Sequence, residues 1–442
     1  MAAITRDLVH FLYGLETRDL GPQVIYRARY LLLDYLGCAL RGALEPSSQS
    51  VHRMVARAGG AGPCTVLGTP LQTTAEYAAL ANGAAAHSIE LDDTHQAGSI
   101  HLGVVMYPTA IAISEQLGGV DPDRFVAAVV AGYEMAARVA MAVQPKDHYE
   151  LGFHPTATCG VFGAAVTASK LLRLTEELML SAVGIAGSMA AGLLEFLADG
   201  SWTKRLHPGL AAKNGIQAAM LAAEGFKGPA TVLEGRNGFL GAYSRNPRVD
   251  ALLEDLGTSF EILRTAVKPH ACCRYMQPAI DALITLAEKH DIDPVQVTRV
   301  DVAVLEAGWE LVCEPRKRKY KPETIVDAQF SMPFGAVVAL IYRDAGLDRF
   351  SEDNLRSPEV RRLMGRVNLN KDVRIEKNFP EEWRGRVKVV LADGAEYDAE
   401  VRHPKGDPEN PLTWDELRAK FHSLCGTVAL PSFLLDSLQI EV

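Results

Sequence analysis

The feature that most constrains the fold is a long series of helical segments rich in alanine and glycine. Between residues 74 and 225, apolar positions recur at three- and four-residue steps, and no segment alternates with the two-residue period of a strand. Glycine and alanine three or four positions apart let helix backbones approach closely. The pattern predicts an all-helical region with helices at about 74–89, 108–117, 122–143, 156–172, 175–197 and 208–225.

Capping signals sharpen several of these helix starts. Thr73 to Glu76 has the S/T-x-x-E form of a capping box, and Asp121 and Thr175 are good N-cap residues. Pro108 suits the first turn of the next helix, where its missing N–H costs nothing.

The sequence changes character after about residue 265. Period-two alternation appears at 299–304, 384–391 and 396–401, and the last two segments are joined by an Asp393-Gly394 turn. Helical patterns at 277–289, 329–342 and 352–364 lie among these strands, which indicates an α+β domain. A further helix is predicted at 413–424, and a last short one from Pro431 onwards.

Charge and composition exclude several classes of partner. The formal net charge is −9, which argues against nucleic acid or an anionic membrane surface as a partner. The start of the chain does not resemble a signal peptide, and the uncharged run 178–194 suits a buried helix better than a membrane span. Seven scattered cysteines, none in a C-x-x-C pair, favour a reducing cytoplasm.

One short stretch concentrates acids and imidazoles between two apolar helices. Residues 86–101 contain three acids and three histidines: His87, Glu90, Asp92, Asp93, His95 and His101. A loop of this kind is where general acid–base chemistry is commonly mounted. The alternative is a solvated loop with ordinary surface charge.

Three further segments place cations or histidine just before a helix. His154 precedes Pro155, Lys204 and Arg205 precede Pro208, and Lys268 and Arg274 precede Pro278 at the domain boundary. Free backbone N–H groups at a helix start can hold a carboxylate. Each segment alone is equally compatible with a cap or with surface charge.

Together these segments predict one chemistry. The substrate would carry several carboxylates, a proton would be removed beside one of them, and cations would stabilise the resulting charge. No G-x-G-x-x-G, no Walker loop and no evident pyridoxal phosphate lysine occurs, so no organic cofactor is expected.

Two alternatives remain open. A metal-dependent hydrolase could use a ligand set from the acid–histidine stretch, namely His87, Asp92, Asp93, His95 and His101, although the spacing matches no metal signature. A binding protein that has lost catalysis would hold a carboxylate without turnover.

Several motifs in order resemble the MmgE/PrpD family, which includes 2-methylcitrate dehydratase, cis-aconitate decarboxylase and iminodisuccinate epimerase. They are Asn82-Gly83 through His87 to Asp92-Asp93-Thr94 and His101, then 152–156, 203–209 and 327–331. The resemblance implies a mainly α fold, with a large helical domain formed by 1–265 and 405–442 and a smaller α+β lid domain at 266–404. It also implies a homodimer that needs neither metal nor organic cofactor.

The resemblance assigns roles by position. His101 and His154 are the expected acid–base imidazoles, Lys204 is the cation facing a substrate carboxylate, and Asp93 belongs to the catalytic loop. The expected substrate-binding residues are Glu90, Thr94, His207, Lys268, Arg274, Tyr275 and Gln277. Two positions depart from the family: many relatives have Asp at Glu90, and many have His at Gln277. If that histidine is the family's proton donor, this chain would either run a different reaction or use His270 or Tyr275 instead.

The expected function is a cofactor-independent lyase acting on a small polycarboxylate. Dehydration of 2-methylcitrate is the first expectation, and decarboxylation of cis-aconitate or epimerisation of iminodisuccinate are the alternatives.

Overall fold

The computed structural model describes residues 4–426. Helices make up 58% of the structure and strands 9%, which confirms the mainly α fold with a smaller α+β part. The short helix predicted from Pro431 lies outside the described residues.

The N-terminal part is a bundle of packed helices. Its helices are α1 (Ile4–Gly14), α2 (Pro22–Gly42), α3 (Pro46–Ala58), α4 (Ala75–His87), α5 (Gly103–Gln116), α6 (Pro122–Val143), α7 (Pro145–Glu150), α8 (Pro155–Thr158), α9 (Gly160–Leu171), α10 (Glu176–Gly187), α11 (Thr203–Ala223) and α12 (Phe239–Tyr243). Three two-residue strands interrupt it: β1 (Cys64–Thr65), β2 (Gln72–Thr73) and β3 (Thr94–His95). The third pairs with β4 (Thr265–Ala266).

The α+β part is built on a four-stranded sheet with the strand order β6-β5-β7-β8. Its strands are β5 (Val297–Ala303), β6 (Val367–Asn370), β7 (Gly385–Leu391) and β8 (Glu396–Val401). The predicted β7–β8 hairpin is confirmed, whereas β6, which pairs parallel with β5, was not predicted because four residues carry too little alternation. The helices are α13 (Gln277–Lys289), α14 (Glu306–Val312), α15 (Arg316–Lys319), α16 (Ile325–Gln329), α17 (Met332–Tyr342), α18 (Glu352–Arg356), α19 (Pro358–Met364) and α20 (Val373–Glu376).

The last described helix, α21 (Trp414–Cys425), returns to the N-terminal part. The Trp414 ring meets Tyr30 of α2 edge to face at 5.4 Å, and Lys420 Nζ lies 2.6 Å from Asp34 Oδ1. These contacts pack α21 on the N-terminal part, and the expected domain bounds, 1–265 with 405–442 and 266–404, stay a prediction.

Four local predictions were wrong. The Thr73–Glu76 capping box does not form, because Thr74 is the N-cap and the Thr73 hydroxyl donates to the carbonyl of Gly59. Both α5 and α11 begin five residues earlier than expected, with Pro108 and Pro208 inside them. An internal proline removes one backbone hydrogen bond, and both prolines nevertheless lie buried within their helices. Helix α10 ends ten residues early, at Gly187.

A close contact between α4 and α11 fixes the frame of the site. Gly83 of α4 faces Gly209 of α11, and a Cβ at Gly209 would overlap the carbonyl of Leu80. Side chains at the ends of these two helices are thereby held near each other.

Within residues 4–426, one helix, α6, is long and apolar enough to cross a membrane by length and composition. Because 94% of its apolar window is buried inside the protein, it has the surroundings of a core helix.

Candidate active site

Two features, a left-handed residue and a short strand pairing, fold the stretch after α4 back on itself. Glu90 takes a left-handed backbone conformation (φ 58°) just beyond the end of α4, and Thr94 and His95 pair with residues 265–266. The chain then returns so that His101, immediately before α5, stands beside His87 with ring centroids 4.7 Å apart. The acids and histidines of this stretch are buried, so it is not a solvated loop.

Asp92 organises both of these histidines. Its Oδ2 lies 2.8 Å from His87 Nδ1 and 2.9 Å from His101 Nδ1. Burial alone would raise the pKa of Asp92, but the neighbouring His87, His101 and Lys268 outweigh burial and hold it well below its usual range. An ionised carboxylate only accepts hydrogen bonds, so both Nδ1 atoms carry a proton.

The lone pairs are therefore on Nε2 of both rings. Nε2 of His87 lies 3.0 Å from Lys204 Nζ and accepts from it. Nε2 of His101 is left for the cavity that His101 lines. Burial lowers the pKa of His101 to about 4 despite Asp92, so at neutral pH its imidazole is uncharged and able to accept a proton.

Lys204 and Lys268 share the Glu90 carboxylate. Lys204 Nζ donates to Glu90 Oε1, and Lys268 Nζ lies 3.4 Å from Oε2. Burial would raise the pKa of Glu90, but the two ammonium groups lower it to about 2. The charges of Glu90 and Asp92 outweigh burial and raise the pKa of Lys268, whereas burial dominates at Lys204 and lowers its pKa.

His154 approaches from another direction, as the N-cap residue of α8. Its Nδ1 lies 3.0 Å from Nδ1 of His207, on the second turn of α11. Burial, assisted by the charges of neighbouring groups, lowers the pKa of His154 well below its usual value and that of His207 to about 3. The pair is therefore neutral near pH 7, with one ring donating and the other accepting.

These groups surround a cavity between the two parts of the chain. It holds about 420 Å³ of free space, part of it open to solvent, and its interior is narrow. Seven of the predicted site residues line it: Glu90, Thr94, His101, His154, Lys204, Arg274 and Tyr275.

Arg274 is the least satisfied cation in this cavity. Its Nη2 donates to Asp407, and its guanidinium stacks on the Trp383 ring at 5.1 Å. Its Nε and Nη1 are buried and have no hydrogen-bond acceptor within residues 4–426. Buried donors without partners cost free energy, which a carboxylate in the cavity would recover.

Two predicted residues stand behind the cavity instead of lining it. His207 contacts His154, and Lys268 contacts Glu90 and lies 3.9 Å from Asp92. Both can position or charge the lining groups without touching a ligand.

Asp93 does not face the cavity. Its carboxylate accepts from the backbone N–H of Gly103 at 2.9 Å and from the Tyr133 hydroxyl at 2.8 Å, at the start of α5. Burial and the nearby Asp92 charge raise its pKa to about 7. Asp93 therefore holds the start of α5 and lies away from the cavity in which its catalytic role was expected.

Gln277 also does not face the cavity. Its Nε2 donates to the carbonyl of His270 at 2.9 Å, and its Oε1 accepts from the backbone N–H of His270 at 3.3 Å. The expected substitute His270 pairs with Asp281 at 2.7 Å, outside the cavity lining. Gln277 thus holds the 270–272 segment in place and does not line the cavity.

The five residues expected as metal ligands do not converge on one point, but a different group of three histidines does. His95 pairs with Glu261, Asp93 faces α5, and Asp92 lies between His87 and His101. Nitrogens of His87, His101 and His154 lie within 4.8 Å of one another, a spacing that could hold a metal ion.

Sequence reasoning missed several lining residues: Ser99, Tyr149, Leu194, Cys273, Leu311 and Phe330. Ser99 had a signal, since it lies two residues before His101 in the acid–histidine stretch. Phe330 also had one, because it belongs to the 327–331 motif, and its ring lies 5.2 Å from Lys204 Nζ. The others come from loops and helices with no distinguishing pattern.

The site thus combines two neutral imidazoles with an ammonium group and a guanidinium. Cations can hold carboxylates and stabilise developing negative charge, while the imidazoles transfer protons.

Comparison with known proteins gives matches along nearly the whole chain. The MmgE/PrpD N-terminal domain matches residues 6–252, and the MmgE/PrpD C-terminal domain matches residues 270–432. Cis-aconitate decarboxylase from Aspergillus terreus is 28% identical over 97% of this chain and 90% of its own length. A cis-aconitate decarboxylase-like protein, oryM, from Aspergillus oryzae is 30% identical over 96% and 91%. Cis-aconitate decarboxylase from Mus musculus is 26% identical over 96% and 87%.

Proposed function

We propose a function from one premise: the chain belongs to the MmgE/PrpD family. The function is that of a cofactor-independent lyase acting on a small polycarboxylate, and decarboxylation of a cis-aconitate-like tricarboxylate is the leading reaction. This order differs from the sequence-based expectation, which put 2-methylcitrate dehydration first, because the relatives found by comparison are cis-aconitate decarboxylases.

The observation that carries the proposal is that the two cations lining the cavity, Lys204 and Arg274, differ in whether their nitrogens have partners. Lys204 already shares Glu90 with Lys268, whereas Arg274 keeps two buried nitrogens without an acceptor in the described residues. A guanidinium fork matches a carboxylate through two parallel hydrogen bonds. One substrate carboxylate would therefore bind Arg274, and a second would lie near Lys204.

In the proposed decarboxylation, one carbon–carbon bond breaks and CO₂ leaves. The electron pair left on carbon shifts the adjacent double bond, and the far carbon takes a proton. Lys204 stabilises the negative charge in the transition state, and His101 or His154 supplies the proton from Nε2. Each turnover consumes one proton, which the solvent returns to the imidazole.

Substrate binding creates the proton donor. In the free protein, burial lowers the pKa of His101 to about 4 and also lowers the pKa of His154 well below the usual value of a histidine. Carboxylates placed within a few ångströms raise the pKa of an imidazole. The bound polyanion would therefore draw a proton onto one of these rings.

Dehydration uses the same groups in the opposite order. A neutral imidazole, the form already present in the free protein, would take the proton beside a carboxylate, and the second imidazole would protonate the leaving hydroxyl. Epimerisation would stop after proton exchange at one carbon.

Proton NMR in D₂O separates these reactions. We expect cis-aconitate to lose one carboxylate and to give an unsaturated dicarboxylate carrying one deuterium. Formation of an alkene from 2-methylcitrate would establish a dehydratase instead, and deuterium uptake without net change in an amino-dicarboxylate imine would establish an epimerase. Thermal stabilisation by all three compounds without turnover would contradict the lyase and favour a carboxylate-binding protein.

The three-histidine cluster favours one competing function, a metal-dependent hydrolase. His87, His101 and His154 would be its ligands, and Lys204 would have to leave His87 Nε2. Metal analysis of the purified protein, with activity before and after a chelator, tests this alternative. Full activity of metal-free protein supports the lyase, and activity that returns only with added metal refutes it.

All seven cysteines are buried and free of disulfides. This agrees with the proposed cytoplasmic location, and the proposed homodimer is open to measurement by light scattering.

A further inference from the structure

A second cavity lies against the first. It holds about 730 Å³ of free space, part of it open to solvent, and shares two lining residues, Ser99 and Tyr275, with the reaction cavity. Its other walls are largely apolar and come from both parts of the chain, including Ala97, Met141, Ala307, Phe379 and Pro380.

Three hydroxyl groups separate the two cavities. Ser99 Oγ lies 2.8 Å from the Tyr149 hydroxyl but 3.5 Å from the Tyr275 hydroxyl. The Tyr275 ring is held by stacking on Trp383, with ring centroids 4.4 Å apart. The longer contact, between Ser99 and Tyr275, is the weaker of the two hydrogen bonds that close off one cavity from the other. If these two side chains moved apart, the two cavities would become one.

The chemistry of the second cavity differs from that of the first. Its two cations, Lys146 and Arg248, have exposed side chains, and Arg248 already pairs with Glu254 at 3.0 Å. Apart from the shared hydroxyls of Ser99 and Tyr275, the buried polar side chain in this lining is the uncharged amide of Gln96. The interior therefore suits hydrocarbon better than another carboxylate, which would find no buried cation in this lining.

We propose that the second cavity binds an apolar substituent of the substrate, so that the preferred substrate is a polycarboxylate with an alkyl chain. This inference rests on the proposed function. The carboxylates bind among Lys204, Arg274 and the two imidazoles, and the chain passes between Ser99 and Tyr275 to lie against Met141 and Ala307. Each methylene buried there is expected to raise kcat/KM about fourfold, from the usual free energy of burying a methylene.

The test compares cis-aconitate with its butyl- and hexyl-substituted analogues. CO₂ release gives kcat/KM, and calorimetry gives Kd for the same compounds. Wild-type protein should show tighter binding and higher kcat/KM as the chain lengthens. Ala307→Phe, which fills the second cavity, should reduce the ratio of kcat/KM for the hexyl compound to kcat/KM for cis-aconitate by at least tenfold. Met141→Ala, which enlarges the same cavity, should allow compounds with bulkier chains to react. Val295→Phe, an exposed position outside both cavity linings, is the matched control and should leave the ratio unchanged.

The outcomes separate the two proposals. Absence of CO₂ from every compound, with binding that still tightens with chain length and weakens in Ala307→Phe, would refute the decarboxylase and support the cavity assignment. Turnover of cis-aconitate with no gain from the alkyl chain would refute the cavity assignment alone. Equal losses for short and long substrates in Ala307→Phe would also refute it, because they would make the second cavity a common entrance.

Discussion

Two buried clusters of charge draw on the same acid–histidine stretch, and they differ in what lies beside them. Glu90, Asp92 and His101 belong to the cavity cluster, which also contains His87, His154, Lys204 and Lys268. His95, from the middle of the same stretch, belongs to a sealed cluster with Glu134, Arg138 and Glu261.

The sealed cluster joins α6 to the segment before β4. Arg138 Nε donates to Glu134 at 3.0 Å, Arg138 Nη1 donates to the carbonyl of Glu254 at 2.6 Å, and His95 Nε2 lies 2.9 Å from Glu261. None of its four residues lines either cavity.

The difference teaches that density of acids and imidazoles does not by itself make a site. In the sealed cluster, the side chains pair with one another inside the fold, and Arg138 Nη2, which has no hydrogen-bond acceptor within residues 4–426, lies beside neither cavity. In the cavity cluster, His101 lines a space that a ligand can occupy, and so does the adjoining Arg274, which has two nitrogens without an acceptor in those residues. Availability next to a cavity, and not burial or pairing, distinguishes the proposed chemistry.

The largest expected effect distinguishes a histidine proposed to act in catalysis from one that only stabilises the fold. His154→Asn should lower kcat about 10²–10⁴-fold, as loss of a general acid or base does, while Tm changes little. Steady-state kinetics and thermal unfolding measure the two quantities.

His148→Asn is the matched control, because His148 is buried but bonded only to structure, at 2.9 Å from the Tyr243 carbonyl and 2.7 Å from the Thr158 hydroxyl. It should cost about 1–3 kcal/mol of unfolding free energy and leave kcat within a small factor. Near-normal kcat in His154→Asn would remove His154 from the mechanism.

The sealed cluster should give the reverse result. Arg138→Met leaves the buried carboxylate of Glu134 without its cation and should lower the unfolding free energy by about 3–5 kcal/mol, with kcat per folded molecule retained. The loss should be larger at pH 8 than at pH 6, because burial raises the pKa of Glu134 to about 7 and its protonation relieves the repulsion. Urea unfolding at both pH values measures this. The double variant Glu134→Leu/Arg138→Met should recover part of the loss, and a stable Arg138→Met with low kcat would place Arg138 in the site.

A smaller effect tests whether the close contact between α4 and α11 positions the cavity cluster. Gly209→Ala forces α11 away from the Leu80 carbonyl of α4, which should cost about 1–3 kcal/mol of stability. It should also lower kcat, because Lys204 at the start of α11 would move relative to His87 at the end of α4. Gly241→Ala is the control, since a Cβ there meets only the Arg236 carbonyl at 3.9 Å. Full activity in a destabilised Gly209→Ala would show that the Lys204–His87 distance is not critical.

Part of this site was predictable from sequence and part was not. Helical periodicity and cap residues predicted most helices, and the motifs of the resemblance indicated His101, His154 and Lys204. Which way a loop side chain points depends on long-range pairing: Asp93 turns to α5 and Asp92 to the histidines, although they are adjacent. Gln277 was expected in the cavity for a similar reason. The cations of its entry segment indicated a site but not which side chains face it, and Gln277 donates instead to the backbone carbonyls of His270 and Cys272.

The smallest expected effect is the pH dependence of stability, in which the two clusters act in opposite directions. Burial lowers the folded-state pKa of His101 to about 4, against about 6.5 in an unfolded chain, so its contribution is present above pH 6.5 and is lost as the pH falls towards 4. Glu134, raised to about 7 from about 4.3 in an unfolded chain, contributes fully below pH 4.3, and its contribution is lost as the pH rises through 7. Between pH 4.3 and 6.5 the two contributions change in opposite directions, so the urea midpoint of the wild-type protein should vary little there. His101→Asn leaves the Glu134 contribution unopposed, so its midpoint should fall as the pH rises towards 7, and Glu134→Gln leaves the His101 contribution unopposed, so its midpoint should fall as the pH falls towards 4. If either variant showed the other's trend, the two clusters would be one electrostatic unit, and the distinction between a sealed and an available cluster would fail.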